Sequence, residues 1–193
     1  IVANLVNEIM VDLPSDAYRK AMAIVTPRKL WQARPGDCVV MLAPCSSAFR
    51  DYVSATLDLD VGQIEIVAPP DVRGIHAIDV AQDLGATEQI ASRSDMSPFV
   101  LDSKVLEFSR LVGVRILPYN TQPTAPTLDA LRLINTKHGF REIAANLGLP
   151  VADGGYSKTV GELINDLKRF LRDHSAAIIK TNRASNGYGN VVI

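Results

Sequence analysis

The sequence predicts an open, mainly parallel, Rossmann-like α/β sheet over its first two-thirds, followed by a smaller, partial α+β segment. Three observations predict this. Between residues 1 and about 134, short apolar runs of strand length alternate with stretches of helical periodicity, the pattern of an open α/β sheet. The clearest run, Cys38-Val39-Val40-Met41-Leu42-Ala43, is apolar throughout rather than alternating, as suits a parallel strand covered on both faces. Near residue 125 the pattern changes to helices followed by a hairpin-like close.

The elements follow in order. Ile1-Val2-Ala3 is a short apolar start that turns polar at Asn4, Asn7 and Glu8. Ser15 and Asp16 open a helical stretch that Pro27 interrupts, and Pro35-Gly36-Asp37 is a turn into the strand at 38–43. Ser46 or Ser47 can cap the next helix, with Phe49, Tyr52, Val53 and Leu57 on one face. Ile64-Glu65-Ile66-Val67 is a third strand, closed by Pro69-Pro70. Two or three helical segments lie between about 76 and 111, and Val114-Arg115-Ile116-Leu117 is a fourth strand. Leu128, Leu131 and Leu133 belong to a helix ending near Asn135. The next helix carries Phe140, Ile143, Ala144 and Leu147, with Gly148 as its stop and Pro150 beyond. Thr159-Val160-Gly161-Glu162 has the form of a capping box. Two strands, at 176–180 and 190–193, enclose a polar loop.

Bulk composition narrows the function classes. The 193 residues are 47% hydrophobic and 21% charged, with 20 basic against 21 acidic residues and a net charge of -1. That balance describes a folded domain and offers no electrostatic footprint for nucleic acid or a membrane surface. No apolar run approaches the roughly 20 residues needed to span a bilayer. Cys38 and Cys45 are too few and wrongly spaced for a zinc site, and low cysteine usage fits a reducing cytoplasm. Both ends look like opened strands, so the sequence is expected to be a fragment of something longer.

The segment richest in chemistry runs from Lys180 to Asn190. A lysine ends an apolar strand, a loop of small and polar residues follows, and a strand resumes after Gly189. Small residues let backbone N–H groups approach a polyphosphate, and a lysine at the strand edge adds positive charge there. The loop lacks the Gly-Lys-Ser/Thr ending and following helix of a Walker A motif. A plain hairpin using Asn186-Gly187 for turn geometry is the other reading, although the loop is longer than a hairpin turn requires.

In order along the chain, Asn135-Thr136-Lys137, Phe140-Arg141, Leu147-Gly148-Leu149-Pro150-Val151, a helix, Ile178-Ile179-Lys180 and Gly187-Tyr188-Gly189 resemble the opening of the ATP-grasp fold. Gly187 and Gly189 stand seven and nine positions after Lys180, the spacing found in that family. Ser185 and Asn186 stand where family loops carry more glycine. Residues 1–134 resemble, less closely, the pre-ATP-grasp domain. Asn4, Asn7 and Glu8, with Arg28 and Trp31 ahead of Gly36-Asp37, are similar to the bacterial peptide-ligase branch.

The resemblance implies a division into a pre-ATP-grasp-like domain at 1–124, a connecting helix at 125–134, and an incomplete lid subdomain at 135–193. It implies an ATP- and Mg2+-dependent ligase that joins a carboxylate to an amine through an acyl phosphate. Lys137 and Lys180 would hold the nucleotide's phosphates, and Ser185, Asn186, Gly187, Tyr188 and Gly189 would form a lid over them. The Mg2+ ligands would lie outside these residues, so the stretch alone is expected to be inactive. A small-molecule carboxylate and an amine or peptide are the expected partners, with room for a homodimer.

Asn4, Asn7 and Glu8 follow the first strand at the end where open α/β sheets bind ligands, which marks them, with Arg28, as candidate substrate residues. Arg28, Lys29 and Arg34 read equally as a solvated helix end. His76, His138 and His174 share no metal spacing, and Asp79, Asp83 and Glu88 show no acid–base pairing. Two other readings stay open: a non-catalytic nucleotide- or partner-binding module, and a Rossmann-like enzyme whose site lies at the serine-rich turn 43–47.

Overall fold

The computed structural model describes residues 1–10, 15–183 and 189–193, and divides into two compact units, Ile1–Leu128 and Asp129–Ile193. The division falls inside a helix.

In the first unit, α1 (Asp16–Ile24) is capped by Ser15, whose hydroxyl accepts from the Tyr18 N–H, and leads into a 3-10 helix at Thr26–Gln32. β1 (Cys38–Val40) runs to α2 (Ser47–Leu57), where Ser46 is the cap. Then come β2 (Glu65–Val67), α3 (Ala77–Asp83), α4 (Thr87–Ala91), β3 (Asp95–Met96), α5 (Ser103–Val112) and β4 (Arg115–Ile116). Gly113 ends α5 at φ 72°, a left-handed cap that a side chain would strain.

β1 pairs with β2 and β3 with β4, all parallel. Val2 joins the two ladders, with parallel bridges to Val40 and to Pro98 just past β3. The spatial order is therefore β2, β1, the Val2 segment, β3, β4. That is the doubly wound order 3-2-1-4-5 in chain sequence. Val39 and Met41 face a cluster with Leu30, Val53 and Ile64. Alternation turns Val40 the other way, and α3 packs on β1 and α5 there. Helices thus cover both faces, as the continuous apolar run required.

One strand escapes the sequence expectation. The stretch 95–98 is Asp-Met-Ser-Pro, with no apolar run and a proline. The proline fits because Val2 N–H donates to Ser97 C=O (2.9 Å) and Phe99 N–H to Val2 C=O (3.0 Å). Pro98's missing N–H is not needed on that edge.

α6 (Ala125–Ile134) crosses the division. The second unit holds α7 (Lys137–Asn146), α8 (Val160–Phe170), β5 (Ile178–Ile179) and β6 (Val191–Val192). β5 and β6 are antiparallel. Gly148, at φ 70°, follows α7, and the Thr159–Glu162 capping box is formed. No helix among the described residues is long and apolar enough to cross a membrane.

Candidate functional site

Two of the second unit's four lysines, Lys137 and Lys180, lie within electrostatic reach of each other. Thr136 caps α7, its hydroxyl accepting from the Gly139 N–H. The first turn of α7 is then fastened to the residues after β5. Lys137 N–H donates to Asn182 C=O (3.0 Å), and His138 N–H to Asn182 Oδ1 (2.9 Å). Lys137 Nζ donates to Thr181 C=O at 2.8 Å. Burial, and then the positive charge of Lys180, lower the Lys137 pKa. Lys180, 43 positions further along the chain, is thus near enough for its charge to act on Lys137. Ser185, Asn186, Gly187 and Tyr188 lie outside the described residues. Gly189 is described: its φ is 71°, and a Cβ there would come within 2.9 Å of Thr181 Cγ2. Next to Lys137 in the chain, His138 stacks its ring on that of Tyr156 at 4.1 Å. Among the described residues no group of three or more His, Cys, Asp or Glu could hold a metal ion.

The first unit holds a cavity of about 390 Å³ at the carboxyl ends of the strands. Its floor and walls come from the segment after Val2 (Leu5, Asn7, Glu8), from His76 ahead of α3, and from Asp102, Ser103 and Lys104 at the start of α5. That is the switch point of a doubly wound sheet, where successive connections leave the Val2 segment in opposite directions and open a crevice.

A buried polar network shapes it. Asp102 Oδ1 accepts from the Val105 N–H (2.9 Å) and caps α5. His76 Nδ1 accepts from the Ile78 N–H (3.1 Å), which leaves Nε2 to donate to Asp102 Oδ2 (2.9 Å). Burial is the largest influence on Asp102 and pushes its pKa up. The hydrogen bond and charge of His76, with Val105 and Asn4, outweigh it and hold the carboxyl below its usual range. Glu8 accepts from the Ser103 hydroxyl and, at 3.3 Å, from the Ser103 N–H.

Of the four candidate substrate residues, the structure brings Asn7 and Glu8 to the cavity and leaves two out. Asn4 is fully buried beneath it. Its Oδ1 accepts from the Phe99 and Val100 N–H groups (2.9 and 3.2 Å), and its Nδ2 donates to Val100 C=O (2.7 Å) and Asp102. Asn4 therefore joins the central strands rather than facing a ligand. Arg28 is exposed on the 3-10 helix, away from the lining. Nearby, Lys29 lies over the Phe99 ring (4.7 Å) and Trp31 packs edge-on against Phe49 and Tyr52. Ser46 in the 43–47 turn serves as a helix cap. His76, Asp102 and Ser103 were invisible as site residues, because only the folded topology joins positions near 8, 76 and 102. The one local signal was Asp102 as a helix cap.

Residues 26–114 match the family model described as the Pre ATP-grasp domain. Over this stretch the chain is similar to a pre-ATP-grasp domain. The pre-ATP-grasp match spans the helices and strands from the 3-10 helix at 26 to the edge of β4, and it points to the ATP-grasp ligase superfamily. No curated protein matches the chain.

Proposed function

We propose that the chain is the leading part of an ATP-dependent carboxylate–amine ligase of the peptide-forming type. One observation carries the reading: Lys137 Nζ bonds to the Thr181 carbonyl, and the charge of Lys180, directly after β5, is near enough to lower the Lys137 pKa. Adjacent ammonium groups repel, and a polyphosphate between them turns that repulsion into charge-assisted hydrogen bonding. A bound anion would offset the burial and like charge that lower the Lys137 pKa. ATP would supply the phosphoryl group that activates a carboxylate as an acyl phosphate, which an amine converts to an amide. The chain's own contribution is positioning and neutralisation. Lys137 and Lys180 hold the phosphates, while Ser185, Asn186, Gly187, Tyr188 and Gly189 cover them and exclude water. Mg2+ as companion ion, a small carboxylate with an amine or peptide as substrates, a cytoplasmic setting and a homodimer belong to the same proposal.

The test is Mg-ATP binding to the full-length protein by calorimetry. Lys180→Ala is expected to weaken binding about 10- to 100-fold, the range for losing a charge-assisted contact. A Lys137→Ala/Lys180→Ala protein that binds Mg-ATP as tightly as the parent overturns the proposal.

A further inference from the structure

We infer that, in the nucleotide site proposed above and resting on that proposal, Asn182 is a further phosphate-binding residue that donates from its side-chain amide. Its hydrogen bonds fix which end of the amide is available. The His138 N–H donates to Asn182 Oδ1 at 2.9 Å. An N–H must meet an acceptor, so the oxygen is the end turned toward α7, and Nδ2 with its two N–H donors is the end left over. Asn182 is half-buried, and among the described residues its Nδ2 has no acceptor. Arg93 Nε is the one buried side-chain nitrogen or oxygen left without a partner among those residues, so Asn182 Nδ2 is not sealed inside the protein and stays within reach of a ligand.

The surroundings are cationic. Lys137 donates its backbone N–H to Asn182 C=O (3.0 Å) and its Nζ to the neighbouring Thr181 C=O (2.8 Å). Lys180, two residues before Asn182, is exposed and has no ion-pair partner among the described residues.

Helix N-termini commonly bind anions through their unpaired backbone amides. The start of α7 has none to offer. The Lys137 and His138 N–H groups go to Asn182, the Gly139 N–H goes to the Thr136 hydroxyl (3.0 Å), and the Phe140 N–H goes to Thr136 C=O (2.9 Å). A phosphate here is therefore met by side chains. Asn182 closes the helix end with its oxygen and its carbonyl, and supplies a donor in exchange with its nitrogen.

Mg-ATP binding to the full-length protein, measured by calorimetry, tests this with two replacements. Asn182→Asp keeps an acceptor for the His138 N–H, and a carboxylate at a helix N-terminus favours the helix, so the fold is expected to hold. It replaces the donor with an anion. Asn182→Ala removes the donor without adding charge. The alanine variant is expected to bind Mg-ATP about tenfold more weakly, the size of one hydrogen bond to a charged group, and the aspartate variant more weakly still. A role confined to positioning α7 gives the reverse order, since only aspartate keeps the bond to His138. In the NMR spectrum, the Asn182 Nδ2 amide pair, identified by its loss in Asn182→Asp, is expected to shift as Mg-ATP is added. Asn182 loses this role if the aspartate variant binds as tightly as the alanine variant or the parent, or if the amide pair does not move. Lys180→Ala tells the two failures apart. If it weakens binding and the Asn182 variants do not, only the role of Asn182 falls, whereas a parent that does not bind Mg-ATP removes the nucleotide site as well.

Discussion

The two units are held together by different means. In the first, strands and both helical layers meet in a continuous interior: Leu30, Met41, Leu42, Ile78 and Ile116 are each inaccessible or nearly so. In the second, Ala144 and Ala177 are the only buried apolar residues among those described after α6, while Leu147 and Val160 are 70% and 74% exposed. α8 has an apolar stripe at helical spacing and buries none of its residues. Its order comes from short-range devices instead: the Thr159–Glu162 box, the Thr136 cap, and the bonds between α7 and Thr181-Asn182. Burial stabilises in proportion to area removed from water, whereas caps each contribute about 1 kcal/mol. The lid role proposed for the second unit agrees with this, since elements that open and close lie at the low-stability end of a protein.

Core truncation is the hardest test of that contrast. Leu30→Ala, in the cluster under β1, is expected to cost about 2–5 kcal/mol in denaturant unfolding. The matching change in the second unit, Leu147→Ala, is expected to stay within about 0.5 kcal/mol. Equal losses would mean that the second unit has an interior of its own and would dissolve the comparison.

The buried network offers the next test. Asp102→Asn keeps an acceptor for Val105 but turns an amide toward His76 Nε2–H and the Asn4 amide. The ring cannot simply change tautomer, because Nδ1 is committed to the Ile78 N–H. The expected cost is about 1–3 kcal/mol. The pH dependence has a definite sign. The folded Asp102 carboxyl is held below its ordinary value, so its stabilisation is complete above the unfolded pKa of about 3.9 and is lost as pH falls through the lower, folded value. An Asp102→Asn protein should lack this part of the acid limb. An acid limb identical to the parent's would remove Asp102 from the account.

Much of this was legible in advance because it is local. Ser15, Ser46 and Thr159 announce helix starts by short side chains placed before amphipathic runs. The unbroken run at 38–43 announces burial on both faces. The 95–98 strand was not legible, because its pairing rests on backbone groups of Val2 and Arg115 rather than on its own side chains. Lys180 was legible as a strand-end lysine, which is a local feature, whereas its link to Lys137 came from the resemblance and not from the local pattern. The cavity could be anticipated only in part. Asn7 and Glu8 follow the first strand, but Ser103 and His76 reach them through crossovers that no spacing encodes. Asn4 shows the limit of the positional argument: the strand end was the right place, but its amide is consumed by the neighbouring backbone.

The smallest effect tests the cap-based account of the second unit. Thr159 Oγ1 accepts from the Glu162 N–H at 3.2 Å, and Glu162 returns the bond to the Thr159 N–H at 3.2 Å and to the Lys158 N–H at 2.7 Å. Thr159→Ala removes the hydroxyl and leaves the Glu162 bonds possible, so about 1 kcal/mol is expected. In a unit with a large interior that loss would be shared and would appear as a small drop in global stability. Where α8 buries none of its residues, the loss should stay local. Hydrogen exchange should quicken by about fivefold at the amides of α8, the factor that corresponds to about 1 kcal/mol, with β1 and α5 unchanged. Equal quickening in both units would show one cooperative structure and would contradict the division on which the contrast rests.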